Sequence, residues 1–274
     1  MIQPDVILFL LALAGYACAS ILYIVFLTVR NRGAGILAVR ILIAAASAHV
    51  LAFGSRWVLT GQPPLVSLFE TLSFYALLVV VGYLIVERAY GYRVIGAFLT
   101  PLAFVAVALA SVAPKDSEPL APVLSSVWLP IHVTISFIAY TVFTLAFVLA
   151  VIYLLQEREL KKKKAHGLFY RLPPLQVMER MGYNAVGIGF PFMTLSIATG
   201  ALWAEQAWGA YWIWEPKQTM SLVTWLIFAL YFHLRNQRGW RGKRASWLVT
   251  MGFVAMVFTF VGVKLLNPSL HSFI

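Results

Sequence analysis

A single cysteine, Cys18, occurs in 274 residues. It excludes an internal disulfide, and the chain has neither a CxxC redox or metal pair nor a CxxCH, so it is not itself a c-type cytochrome. Charge is equally sparse. Only 11% of residues are charged, and ten are acidic. They form no carboxylate cluster that, with thiolates absent, could complete the shell of a bare metal ion. Internal repeats and low-complexity tracts are also lacking. What the chain has in excess is apolar surface: 61% of residues are hydrophobic, in repeated runs of about eighteen or more, the signature of a polytopic membrane protein. The first run follows Met1-Ile2-Gln3-Pro4-Asp5. With no basic stretch before it and no small-residue cleavage site after it, it reads as a retained span rather than a signal peptide.

Eight spans are expected, over residues 5–28, 36–59, 68–87, 94–112, 128–155, 184–204, 219–236 and 245–266. Each is helical, because backbone groups in lipid must be satisfied within their own segment. The fold class is therefore all-α, a single membrane domain over 1–274, with N-terminal spans in 1–112 and a second region in 128–274. In the longest connection, Lys161–Lys164 reads as a solvated helix end. Pro173-Pro174 is a break, and Leu175–Met181 is a short helix lying along the interface. Basic residues alternate strictly. The first, third, fifth and seventh connections hold sixteen of the twenty-one, whereas the even ones contribute only Lys115 and Lys217. This places the odd connections in the cytoplasm and both termini outside. The net charge of +11 is then topology plus attraction to lipid headgroups, not a nucleic-acid surface. In the short second connection, Glu70 reads as a carboxylate favoured by a helix N-terminus.

Tryptophan is not spread as an interfacial belt would spread it. Trp203, Trp208, Trp212 and Trp214 crowd into Ala201–Thr219 with Tyr211 and Glu215, and such a cluster suits a flat, apolar, π-rich ligand held at the membrane surface. His132, at the outer start of span five, and His271, beyond the outer end of span eight, fall on the same face. Two imidazoles are the natural axial pair of a low-spin haem iron, with the indoles packed on the porphyrin plane. His233 lies near the inner end of span seven, too far to share that iron. It either serves a second, inner haem or snorkels at the interface. His49 lies mid-span in helix two, a tentative ligand whose more natural role is a hydrogen bond to a neighbouring helix. Arg56, Lys217 and Lys264 stand at or near the outer face, where they either snorkel to headgroups or pair with haem propionates. His166, in the basic fifth connection, is assigned nothing.

Trp208-Gly209-Ala210-Tyr211-Trp212-Ile213-Trp214-Glu215-Pro216-Lys217-Gln218-Thr219 resembles the WWD signature WGxYWxWDPKET of haem-handling membrane proteins. With Ala201-Leu202-Trp203-Ala204, Tyr231-Phe232-His233-Leu234-Arg235, Leu270-His271-Ser272 and the Arg56-Trp57…Gly61…Pro64…Glu70 pattern, the chain resembles the CcsA (ResC) family of cytochrome c biogenesis, System II. The resemblance implies that His132 and His271 are the outer haem ligands and His233 the transmembrane one, with the second inner ligand supplied by a CcsB (ResB) partner. It also implies a haem b cargo, an apocytochrome c client whose CxxCH thiols add to the vinyl groups, and the bacterial cytoplasmic membrane, with the WWD loop on its outer face. On this reading the chain is a haem exporter and a subunit of a cytochrome c synthase. Two positions depart from the signature: Glu215 replaces its aspartate and Gln218 its second glutamate. The alternative is a HemX-like, non-catalytic regulator of haem synthesis, which the full WWD loop and three histidines disfavour. An ion or solute transporter would need charged or broken helices at mid-bilayer, and little beyond His49 is found there.

Overall fold

The helix ends follow from local chemistry. Asn31 opens the helix Arg32–Thr60 (α2, after α1 at Pro4–Val29) by accepting from the Ala34 N–H at 3.1 Å. Ser67 opens Leu68–Tyr90 (α3) with a reciprocal capping box: its hydroxyl accepts from the Glu70 N–H, and the Glu70 carboxylate accepts from the Ser67 N–H at 3.1 Å. Four further helices lie in Gly96–Val112 (α4), Trp128–Lys161 (α5), Leu175–Trp208 (α6) and Pro216–Arg238 (α7). A fifth, Lys243–Val257 (α8), runs into a π turn at Phe258–Gly262. The computed structural model describes residues 4–114, 126–162 and 169–262, and among them the protein is all-helical and polytopic.

Six of these helices are long and apolar enough to cross a membrane. The helices expected as spans seven and eight form as α7 and α8, but α7 is diluted by Lys217, Gln218, His233 and Asn236, and the end of span eight lies outside the described residues. One expectation is corrected. Leu175–Met181 is not a separate interfacial helix but the first two turns of α6, continuous to Trp208 over 34 residues. Pro174 stands at the start of α6, so the proline pair precedes one long helix rather than a separate short one, and Glu179 pairs with Arg235 of α7 at 3.0 Å, with the Arg235 guanidinium over Tyr183 at 4.4 Å. Met181 and Met178 are buried about one and two turns ahead of Val186.

The described residues fall into two compact units: those within Met1–Ser117 and Ala165–Pro173, and those within Glu118–Lys164 and Pro174–Ile274. In the first, α1 and α2 approach closely through small residues, since a Cβ on Gly15 would stand 2.5 Å from that of Ala45. Tyr16, Tyr23, Leu42, Tyr83, Ile95 and Leu99 fill the interior. Two buried or part-buried groups there are held by several partners or by helix ends. Glu87 accepts from Tyr23, Tyr83 and Arg93 at 2.9, 2.6 and 3.0 Å. Arg171 donates to the carbonyls of Leu27 and Thr28 at the open end of α1.

In the second unit, a row of rings and glycines fixes the four helices. Phe143 of α5 and Phe228 of α7 stack at 3.8 Å, with their planes 4° apart. A Cβ on Gly189 of α6 would fall 2.7 Å from Phe143, and one on Gly252 of α8 would fall 2.7 Å from Phe228. Both rings are fully buried, so neither can step aside. Gly252→Ala is therefore expected to cost about 1–3 kcal/mol through overpacking, read as a lower unfolding midpoint in detergent. An unchanged midpoint would mean that the ring row can shift.

Candidate functional site

One end of the second unit gathers most of the candidate ligand residues. The hydroxyl of Ser126, just before α5, donates to Gln206 near the end of α6, so the start of α5, the end of α6 and the loop into α7 share that end. Gly209 closes α6 in the left-handed conformation (φ 73°), its N–H bonding the Glu205 carbonyl. Glu215 then starts α7 as a buried N-cap, with Pro216 next. Its carbonyl accepts from Thr219 N–H and Oγ1 at 2.9 and 3.0 Å.

Between these caps the five-residue loop holds its rings edge to face. Trp203 packs on Trp208 with centroids 5.1 Å apart, and Trp212 on Trp214 at 5.6 Å. Trp203 is buried, Trp208 and Trp212 half-buried, and Tyr211 and Trp214 are 58% and 68% exposed. Trp214 adopts φ 56°, a region that crowds a β-carbon and costs of order 1 kcal/mol. The strain turns a large ring outward. Trp212 does the reverse: its indole nitrogen is buried and has no hydrogen-bond partner among the described residues. A buried N–H of this kind is costly and suits an acceptor that a ligand brings, such as a carboxylate. Lys217 is half-buried in the first turn of α7.

Gln218 does a job that the sequence does not reveal. Its side-chain oxygen accepts from the Ile213 N–H at 3.0 Å, bridging loop to helix. A glutamate could accept the same bond, so this departure from the signature preserves the loop's geometry. Gln218→Ala is expected to loosen residues 209–215 by about 1 kcal/mol, seen as faster amide exchange at Ile213, with Gln218→Glu close to the parent.

His132 lies at the same end, half-buried in the second turn of α5. Its Nδ1 is 2.9 Å from the carbonyl oxygen of Ser196 on α6. A carbonyl only accepts, so Nδ1 carries the proton and donates. Nε2 then bears the lone pair with which imidazole binds iron. Ser196 and Gly200 meet this ring, and Ser136 bonds the backbone carbonyl of His132 and the Ser196 hydroxyl. No motif marks them; their only trace in the sequence is the four-residue spacing of 132 with 136 and of 196 with 200.

The other candidates are placed elsewhere. His233 is exposed on α7, seventeen residues from its start, about 26 Å along the axis. His49 is fully buried in the first unit, its ring nitrogens 3.0 Å from the Tyr16 hydroxyl and 2.7 Å from that of Ser73. Arg56, also in the first unit, lies 2.8 Å from Glu70 and 3.6 Å from Asp5, with its guanidinium over Phe69. His166, His271 and Lys264 lie outside the described residues.

Comparison with known proteins places this arrangement. The family model for the cytochrome C assembly protein matches residues 65–271. The chain is 32% identical over 250 residues to the cytochrome c biogenesis protein CcsA of Guillardia theta, covering 84% of this chain and 83% of that one. It is 34% identical over 265 residues to CcsA of Synechococcus elongatus, covering 80% and 82%. Among solved structures, a cytochrome c haem lyase, CcmF, matches 99% of this chain with a TM-score of 0.72 at 16% identity, which speaks for the fold. This chain spans about half of that protein, 48% of its length. With a family match across most of its length and relatives above 30% identity over most of theirs, the chain belongs to the CcsA family of cytochrome c biogenesis proteins.

Proposed function

We propose that, within cytochrome c maturation, this chain takes haem b as its substrate, carries it across the bacterial cytoplasmic membrane and presents it on the outer face to apocytochrome c. It acts with a CcsB (ResB)-type partner, as the haem-holding subunit of a System II synthase. Both termini and the tryptophan loop face outward, as the alternation of basic loops requires. His132 and His271 grip the iron from its two sides. His233 holds haem nearer the inner face, with its second ligand from the partner.

The observation that carries this reading is the Ser196 carbonyl on His132 Nδ1. It fixes the imidazole as an Nε2 donor at the end of the unit where five aromatic side chains are gathered. The residues fit the substrate in other ways as well. Trp208, Trp212 and Trp214 offer flat apolar faces, and the buried indole N–H of Trp212 can donate to a propionate, with Lys217 supplying charge nearby. Haem supplies the vinyl groups, across which each CxxCH thiol adds its sulfur and its proton. The chain contributes alignment, holding the acceptor edge toward the thiols while excluding water. Side-chain acid–base chemistry is not required.

The test is purification of the full chain, co-expressed with a ResB-type partner, followed by absorption spectroscopy and haem quantification. Haem with a low-spin, six-coordinate spectrum is expected. A preparation free of haem would overturn the reading.

A further inference from the structure

We infer that Ser196, Gly200 and Ser136 form a positioning device for His132: a helix carbonyl, laid open by a glycine, fixes the ring's tautomer and direction. This rests on the reading of His132 as an iron ligand, but its geometry stands apart from that reading.

The carbonyl of Ser196 is inside α6, where its regular partner is the N–H four residues on. That residue is Gly200. The same carbonyl also accepts from Thr199 Oγ1 at 3.2 Å. Here a Cβ on residue 200 would stand 2.8 Å from His132 Cε1 and 2.9 Å from Nδ1, inside van der Waals contact. Glycine weakens a helix interior relative to alanine, and Gly200 shows no left-handed backbone that would call for it. What it provides is room for the imidazole. The ring therefore lies against the α6 backbone and donates Nδ1–H to Ser196 at 2.9 Å.

Ser136 and Ser196 lock the helices at this level. Ser136 Oγ donates to the carbonyl of His132 at 2.6 Å and lies 2.6 Å from Ser196 Oγ. Since Ser136 has one proton, Ser196 is the donor in the second bond. The chain Ser196–Ser136–His132 ties the side chain of α6 to the backbone of α5, while His132 ties its own side chain back to the backbone of α6. With Nδ1 bonded to the Ser196 carbonyl and Gly200 against the ring, the tautomer and direction of the imidazole are set. Orientation of this kind is what a ligand's outer partner provides at a metal site.

The experiment compares Gly200→Ala with Gly187→Ala, a control on the same helix where a Cβ meets nothing within 4 Å, and with His132→Ala, all in the full chain with its partner. Outer-site haem retained after purification should fall about tenfold in Gly200→Ala and stay at the parent level in Gly187→Ala. Residual haem in Gly200→Ala should show an altered axial-ligand spectrum. A second measurement needs neither haem nor a variant: solid-state 15N NMR of histidine-labelled parent chain in bilayers should find the His132 proton on Nδ1. If His132→Ala loses haem while Gly200→Ala keeps both haem and spectrum, or if the proton sits on Nε2, the positioning device is refuted and the ligand assignment survives. If His132→Ala itself keeps its haem, the ligand assignment fails, and the NMR result alone then decides the tautomer.

Discussion

His132→Ala is expected to lower outer-face haem by more than about tenfold and to abolish accumulation of mature c-type cytochrome, while leaving folding nearly intact. Outer ligand-orienting groups alone are worth about 10–100-fold in metal affinity, and the ligand itself should be worth at least that. The substitution removes a half-buried ring and one hydrogen bond to Ser196. Ser136 still bonds the residue-132 carbonyl and Ser196 Oγ, because both use atoms that alanine retains or leaves untouched. A drop in haem without a drop in protein is thus the specific signature. The checks are a pyridine haemochrome assay per mole of chain and haem staining of the client. His233→Ala serves as the comparison: its position about 26 Å along α7 predicts loss of a separate spectral component, with the outer site still able to be filled. Loss of both components in His132→Ala would mean that the two histidines serve one site.

Arg56→Met is expected to be the most destabilising single change in the first unit, by about 3–5 kcal/mol. The guanidinium lies 2.8 Å from Glu70 and 3.6 Å from Asp5, and all three side chains are buried. Removing it leaves two buried carboxylates without their shared cation. Glu70→Gln should cost less, because an amide oxygen can still accept from the Val66 and Ser67 N–H groups that the carboxylate now holds at 3.1 Å. Thermal unfolding in detergent and steady-state abundance in membranes check both. The same experiment separates two roles for Arg56. A variant with normal stability but reduced haem would make it a propionate partner. A variant that unfolds, with its residual folded fraction normally loaded, would make it an internal counter-ion, which is the role its two carboxylates favour.

For His49 the sequence favours a hydrogen bond to a neighbouring helix over a ligand role, but it does not name the partner. The sequence contains Tyr16 and Ser73, 33 and 24 residues away, but nothing in their spacing says that three helices bring them to one ring. Arg56 is similar. Its partners Asp5 and Glu70 were both visible, yet only the packing of α1, α2 and α3 decides that the charge is satisfied within the unit. Leu175–Met181, expected as a separate interfacial helix, is the start of α6, and the pairing of Glu179 with Arg235 across α6 and α7 holds it there.

The sequence by itself determined the all-helical membrane class, the number and approximate places of the apolar helices, and the tryptophan loop with its flanking histidines. All of these depend on hydrophobic runs, caps and short-range spacing, which are local in the chain. Only the tertiary structure decided which nitrogen of His132 faces a ligand, what Gln218 holds, and why residues 189, 200 and 252 must be glycine. Each of these is a contact between helices, set by distances of a few ångströms between residues far apart in sequence, and no pattern along one helix encodes the shape of its neighbour.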